Sequence, residues 1–171
     1  MTDAARAEKL ARELEAAFRN RADLYRLMLR ELTAEVGPAR AEAILVRAIE
    51  QRGREVAEVA YAGFGPNEAR AIGEAFLVAS PDEGRMYPTE VERRDDGITF
   101  RVTRCPLKDA WVEAGVSDAE LATLCRVAGA FDRGLFEATG CRFANVTWTP
   151  GRTGCCTIAL TDRDADIAGR P

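Results

Sequence analysis

The stretch SDAELATLCRVAGAFDRGLFE, residues 117–137, is the part of the chain around which the fold is organised. At about 100° per residue, a helix over this stretch has one apolar side. That side carries Leu121, Cys125, Ala128, Leu135 and Phe136. Ser117 is a favourable N-cap for the amide of Glu120, and the Glu120 carboxylate can reach back to the Ser117 amide. The pattern predicts an amphipathic helix that packs against the rest of the domain.

Asp132 is the exception to this pattern, because it lies one heptad after Cys125 near the middle of the apolar side. A carboxylate in such a position is costly to bury unless it is paired, hydrogen-bonded or neutral. Two interpretations stay open: a structural partner such as an arginine or backbone amides holds Asp132, or Asp132 belongs to a functional site. Because Asp132 lies beside a thiol on the same side of the helix, it is the best local indication of function in the sequence.

The first half of the chain has the periodicity of helices. Apolar residues at steps of three and four predict a helix over 4–36, with a possible break at Asn20. Further helices are predicted over 39–51, 54–62 and 67–77, with Gly53 as a cap or kink. The long stripe of 4–36 suits packing against the chain's own core, and a homodimer through these residues is the alternative.

The periodicity changes to two after residue 80, which indicates strands. Two hairpins are predicted, pairing 86–93 with 98–104 and 142–149 with 155–161. The expected fold class is therefore α+β, with N-terminal helices packed with a four-stranded antiparallel sheet built from two hairpins. We expect one domain over 1–171, comprising a helical half, 1–79, and a second half, 80–171, that holds the sheet and the central helix 117–137.

Composition limits the catalytic mechanisms, the partners and the cellular locations that can be expected for this chain. The 171 residues carry a net charge of −4 and no histidine. The negative charge argues against a nucleic-acid partner, and no apolar run is long enough to span a bilayer. The N-terminus lacks a signal peptide, so a cytoplasmic location with reduced cysteines is expected. Without histidine, Ser-His-Asp and Cys-His catalysis are excluded, and proton transfer falls to carboxylates, thiols, tyrosine, lysine or water.

Three of the five cysteines are candidates for a site with Asp132. Cys156 shares a predicted strand face with Ile158 and Leu160 and is expected to point inward, whereas the neighbouring Cys155 is expected to point the other way. Cys105 precedes a proline at the end of a strand, and Cys125 lies on the helix. The hypothesis is a half-buried pocket in which a thiolate attacks an electrophilic carbon while Asp132 moves protons.

A plainer interpretation exists for each of these groups, because free cysteine is a small hydrophobe that is often buried. Trp111 is either a core residue or a stacking wall for a planar ligand.

No metal is expected, since the chain lacks a CxxC motif. The alternative is zinc or an iron–sulfur cluster held by Cys105, Cys125 and Cys156.

Three motifs carry a resemblance to a known family: RCPLKDAW at 104–111, LCRVAGAFDRGLF at 124–136 and GCCTIAL at 154–160. Together with Gly115, they resemble the L-2-amino-thiazoline-4-carboxylic acid hydrolase family over about 86–160. The resemblance implies hydrolytic opening of a small cyclic amidine on a bacterial route to cysteine. Carried over by position, it implies Cys105, Cys125, Asp132 and Cys156 as site residues. Our leading hypothesis is that Cys105, Asp132 and Cys156 are catalytic and that Cys125 and Trp111 bind the substrate.

One departure and one alternative accompany this resemblance. Where the family often has Cys-Asp-Phe at the last strand, this chain has Cys156-Thr157-Ile158, and the acid after the cysteine is absent. The layout is also similar to small-molecule-sensing domains of the 4-vinyl reductase type. A non-catalytic domain that binds a small molecule or a metal is therefore the alternative to a hydrolase.

Overall fold

A computed structural model describes residues 2–165, and over this part the chain is an α+β structure, as predicted. The helices are α1 (Asp3–Val36), α2 (Pro38–Ala60), α3 (Ala69–Val78), α4 (Pro106–Glu113) and α5 (Asp118–Ala138). The strands are β1 (Thr89–Arg94), β2 (Gly97–Val102), β3 (Arg142–Val146) and β4 (Thr157–Thr161). Within the described part, no helix has the length and apolar character of a membrane span.

The strands form one antiparallel sheet in the order β1-β2-β4-β3. The two predicted hairpins, β1–β2 and β3–β4, are both present, and they join where β2 pairs with β4. Ile98 and Phe100 of β2 lie beside Leu160 and Ile158 of β4, and all four side chains are buried. This apolar face packs under the helices, which is why the sheet alternates buried and more exposed positions.

Helix α5 begins as its sequence predicts. The hydroxyl of Ser117 accepts a hydrogen bond of 3.2 Å from the amide of Glu120. The Glu120 carboxylate does not return to Ser117; it accepts from Nε and Nη2 of Arg30 at 3.0 and 3.3 Å. The Ser117 cap therefore stabilises the first turn of α5, whereas the Glu120 carboxylate links α5 to α1.

Helices α2 and α5 cross with their backbones in close contact. A Cβ atom on Gly134 would overlap the carbonyl oxygen of Glu50, and one on Gly53 would overlap the carbonyl oxygen of Phe131. Gly53 is buried in the middle of a continuous α2, so the predicted cap or kink there is wrong. Its role is to allow the close approach of α5. Helix α1 likewise continues without a break at Asn20.

Two apolar clusters form the interior. A helix-side cluster contains Tyr25, Leu29, Trp111, Leu124 and Val127. A sheet-side cluster contains Ile72, Phe100, Leu135, Phe136 and Ile158. Helix α5 contributes to both clusters because its buried residues surround more than half of its circumference.

Candidate active site

A cavity of about 360 Å³ lies between the two apolar clusters. Its wall includes Trp111 from the helix-side cluster and Phe100 from the sheet-side cluster. The predicted site residues Cys105, Cys125, Asp132 and Cys156 also line it. The structure therefore brings together all five residues that the sequence singled out, from α4, α5 and the loops before α4 and β4.

Asp132 is a half-buried carboxyl on the cavity wall. Among residues 2–165 it has neither a hydrogen-bond partner nor an ion-pair partner. Burial raises the pKa of this carboxyl from 3.8 to about 7, and the positive charge of Arg21 only partly offsets the effect. The structural partner that one interpretation required is not seen in the described part. Near neutral pH this group can both accept and donate a proton.

Cys105 occupies the N-cap position of α4, directly before Pro106. The backbone amides of Lys108 and Leu107 favour its thiolate, but burial has the larger effect and raises the pKa of the thiol to about 11. A helix N-terminus stabilises negative charge, so the ionised form of Cys105 has support from the backbone.

The other cavity thiols are also held in the neutral form. Burial raises the pKa of Cys125 to about 12. Burial raises the pKa of Cys156 as well, and the negative charge of Asp132 is the second cause. Asp132 is thus close enough to Cys156 for its negative charge to oppose ionisation of the thiol.

Cys155 corrects one prediction from strand alternation. It was expected to point away from the inward face, yet it is buried and lines the cavity beside Cys156. The reason is that β4 begins at Thr157, so residues 155 and 156 lie in a loop where the period of two does not apply. The fifth thiol, Cys141, lies in the sheet-side cluster instead, where it accepts from the Thr139 hydroxyl at 3.3 Å.

Further polar side chains line the cavity, and the sequence analysis missed Arg21, Tyr87 and Lys108 among them. Burial raises the pKa of the Tyr87 hydroxyl, so it is neutral and can donate a hydrogen bond. Lys108 donates to the Gly154 carbonyl at 2.9 Å. A signal for Arg21 did exist, since it is a charge between Phe18 and Tyr25 on the buried stripe of α1.

The described residues contain no group of three His, Cys, Asp or Glu side chains positioned to hold a metal ion. The thiols share a cavity, but their geometry gives no support to the zinc or iron–sulfur alternative.

Comparison with known protein families shows which family the chain belongs to. A model of the L-2-amino-thiazoline-4-carboxylic acid hydrolase family matches residues 17–160. The chain belongs to this family. The match begins within α1, so the family extends over the helical first half as well as the motifs of the second half. No curated protein and no solved structure matches the chain.

The three motifs that carry the resemblance lie within the matched residues, and they converge on the cavity. RCPLKDAW supplies Cys105 and Trp111, and LCRVAGAFDRGLF supplies Cys125 and Asp132. GCCTIAL supplies Cys156 together with Cys155. Segments far apart in the chain therefore contribute thiols, a carboxyl and an indole to one cavity.

Proposed function

We propose that this protein hydrolyses a C–N bond in a small cyclic amidine related to 2-amino-thiazoline-4-carboxylate. The observation that carries the proposal is Asp132, a carboxyl without a partner in the described part of the chain, on the wall of a cavity that also contains thiols. Membership of a hydrolase family supports the same reaction class.

In the proposed mechanism, Asp132 removes the proton from the Cys156 thiol as the sulfur attacks the amidine carbon. The substrate enters as the amidinium, so its ring nitrogen already carries one proton. The protonated carboxyl donates a second proton to this nitrogen as the ring C–N bond breaks, and the lone pair of the exocyclic nitrogen forms the new C=N bond, leaving the carbon bound to Cys156. Asp132 next takes a proton from water, the resulting hydroxide attacks that carbon, and the thiol leaves and is reprotonated. One water molecule is added overall, and the thiol and carboxyl return to their starting states.

The electrostatics support this assignment. A thiol with a raised pKa is a poor nucleophile until a base removes its proton, and Asp132 is the carboxyl whose charge acts on Cys156. A base with a pKa of about 7 suits proton transfer in both directions at neutral pH. Cys105 is the alternative nucleophile, because backbone amides favour its thiolate. Cys125 and Trp111 bind the substrate as parts of the wall.

The test is turnover of 2-amino-thiazoline-4-carboxylate by single variants. We expect Cys156→Ala and Asp132→Asn to reduce kcat by about 100-fold or more, the usual contribution of nucleophilic and acid–base groups. Cys141→Ser is the matched control, because this thiol is buried outside the cavity, and it is expected to keep normal kcat. Iodoacetamide should stop turnover, and substrate should protect.

An enzyme with serine at 105, 125 and 156 that retained full activity would rule out the thiol mechanism. Loss of activity in Cys105→Ser with normal kcat in Cys156→Ala would assign the nucleophile to Cys105 instead.

A non-catalytic binding domain of the sensor type is the second candidate, and one observation favours it. Burial holds the cavity thiols in their neutral, weakly nucleophilic form, which suits a wall that binds a ligand without attacking it. A stoichiometric small molecule found by native mass spectrometry, with no turnover of any cyclic amidine, would support this candidate. Elemental analysis of the purified protein would test its metal-binding version.

A further inference from the structure

Arg21 is a half-buried cation on α1 that faces the cavity. Its Nε and Nη2 atoms donate to the Tyr25 hydroxyl at 3.3 and 3.0 Å. The guanidinium carbon also lies 5.4 Å from the centre of the Tyr25 ring. Tyr25 is itself buried and stacks on Trp111, with ring centres 6.4 Å apart. The guanidinium is therefore held in position by packed aromatic residues rather than by an acid.

The neighbouring arginines of α1 are satisfied differently. Each one pairs with a carboxylate: Arg19 with Glu113, Arg26 with Asp23 and Arg30 with Glu120. Arg21 forms no such ion pair within residues 2–165, and its Nη1 atom has no acceptor there. A guanidinium has five N–H donors, and a half-buried one without a counter-ion is unfavourable. The cavity thus presents an unneutralised positive charge to whatever occupies it.

Asp132 is the second charged group on the cavity wall that acts on Arg21. Arg21 and Asp132 attract each other, but they do not form an ion pair. Both charges act on the pKa of the Tyr87 hydroxyl on the same wall, which Arg21 lowers and Asp132 raises. The cavity therefore has a positive group and an acidic group on its wall, with space between them. A ligand with a carboxylate at one end and a basic nitrogen at the other matches this arrangement.

We propose that Arg21 is the residue that binds the carboxylate of the ligand and thereby selects rings that carry a carboxylate. The proposal rests on the proposed function, because it assumes that the ring is opened at Asp132. Two N–H groups of a guanidinium can bind both oxygens of a carboxylate, and this geometry also fixes the orientation of the ligand. A carboxylate bound at Arg21 directs the rest of a small ring towards Asp132 and the thiols.

Lys108 is the competing cation on the same wall. Its Nζ atom already donates to the Gly154 carbonyl and lies 5.4 Å from the centre of the Trp148 ring. These contacts hold the ammonium against the loop before β4. Arg21 has no comparable backbone acceptor in the described part, and it is therefore the better candidate for the ligand carboxylate.

The first experiment compares the acid with its amide in the unmodified protein. Binding of thiazolidine-4-carboxylate, a saturated ring that lacks the amidine, is measured by calorimetry against the corresponding carboxamide. We expect the carboxylate to bind about 10- to 100-fold more tightly, the usual effect of a charge-assisted hydrogen-bonded pair. Equal affinities would overturn the proposal without the need for any variant.

The second experiment assigns the preference to a residue. Arg21→Met should abolish the preference for carboxylate over carboxamide, and Arg21→Lys should retain part of it. Arg19→Met is the matched control, because Arg19 lies on the same helix with an exposed side chain that pairs with Glu113. Lys108→Met tests the competing cation. A preference that survives in Arg21→Met and is lost in Lys108→Met would overturn the assignment.

Turnover gives an independent measurement. With 2-amino-thiazoline-4-carboxylate, Arg21→Met should raise KM by about 10- to 100-fold with a smaller change in kcat, because a contact made equally in ground and transition states changes KM. If no cyclic amidine is turned over, the proposed hydrolysis fails while the calorimetry still decides whether Arg21 binds carboxylates. Folding of each variant is checked by circular dichroism, and Arg21→Lys keeps the test decisive if Arg21→Met does not fold.

Discussion

Replacing Asp132 with asparagine is expected to make the protein more stable at alkaline pH while it removes activity. The folded carboxyl has a pKa of about 7, whereas an ordinary aspartate has 3.8. Between these values the unfolded chain has released its proton and the folded chain has not. The folded state therefore binds more protons, and the stability of the wild-type protein falls as pH rises through this window.

The magnitude follows from the two pKa values. At about 1.4 kcal/mol per pKa unit, the ionisable carboxyl costs the folded state about 4 kcal/mol at pH 8 and about 2 kcal/mol at pH 5, both as upper limits. Asparagine has the same shape and no such ionisation. The stability advantage of Asp132→Asn over the wild type should therefore grow by about 2–3 kcal/mol between pH 5 and pH 8.

The assay is urea denaturation of both proteins at a series of pH values. Other carboxylates also titrate, and Arg126 for example holds the pKa of Glu42 below its usual range. Those groups are common to both proteins, so the difference in free energy of unfolding isolates Asp132. Asp95→Asn is the control, because it makes the same chemical change at an exposed residue between β1 and β2.

Two results would refute the reasoning. A free-energy difference between Asp132→Asn and the wild type that stays constant from pH 5 to pH 8 would mean that the carboxyl has an ordinary pKa in the folded protein. A difference that shrinks as pH rises would mean that a positive group stabilises the ionised carboxyl more strongly than burial opposes it.

Three other changes have defined outcomes. Gly134→Ala should destabilise the protein by about 1–3 kcal/mol, because its methyl group overlaps the α2 backbone; an unchanged denaturation midpoint would contradict the close crossing. Ser117→Ala should cost about 1 kcal/mol through loss of the N-cap, measured by the same denaturation. Leu24 and Leu27 of α1 are each 47% exposed, and if a homodimer forms through this helix, Leu24→Glu with Leu27→Glu should convert it to a monomer in light scattering.

Much of the fold could be read from local patterns. The helix 117–137 was predicted because its period, its cap and its apolar side agree, and the structure has α5 at Asp118–Ala138. The hairpins were predicted because alternation and turn residues are local signals as well. The ends of strands were less certain, because a strand stops where its hydrogen-bond partner stops, and that partner is distant in sequence. For this reason Cys155 was assigned to the wrong side.

The candidate site was anticipated from a misfit, since a carboxyl on an apolar helix face is unfavourable without a special environment. Arg21 is likewise a charged residue on the apolar side of its helix, α1. It stands out less than Asp132, because the long side chain of an arginine can reach solvent or an acid from such a position. The position of Arg21 on the apolar stripe does not show whether its guanidinium meets an acid, as that of Arg19 meets Glu113 on α4. The difference between them arises from which elements α1 packs against.

The sequence by itself determined the α+β class, the central helix, the acid misplaced on that helix and the thiols near it. Only the tertiary structure decided that Asp132 has no ion-pair partner among residues 2–165 and that Arg21 faces the same cavity. It also decided that Gly53 serves a helix crossing rather than a helix end. The physical reason is that periodicity reports which face of an element is buried, whereas the group that meets that face comes from residues far away along the chain.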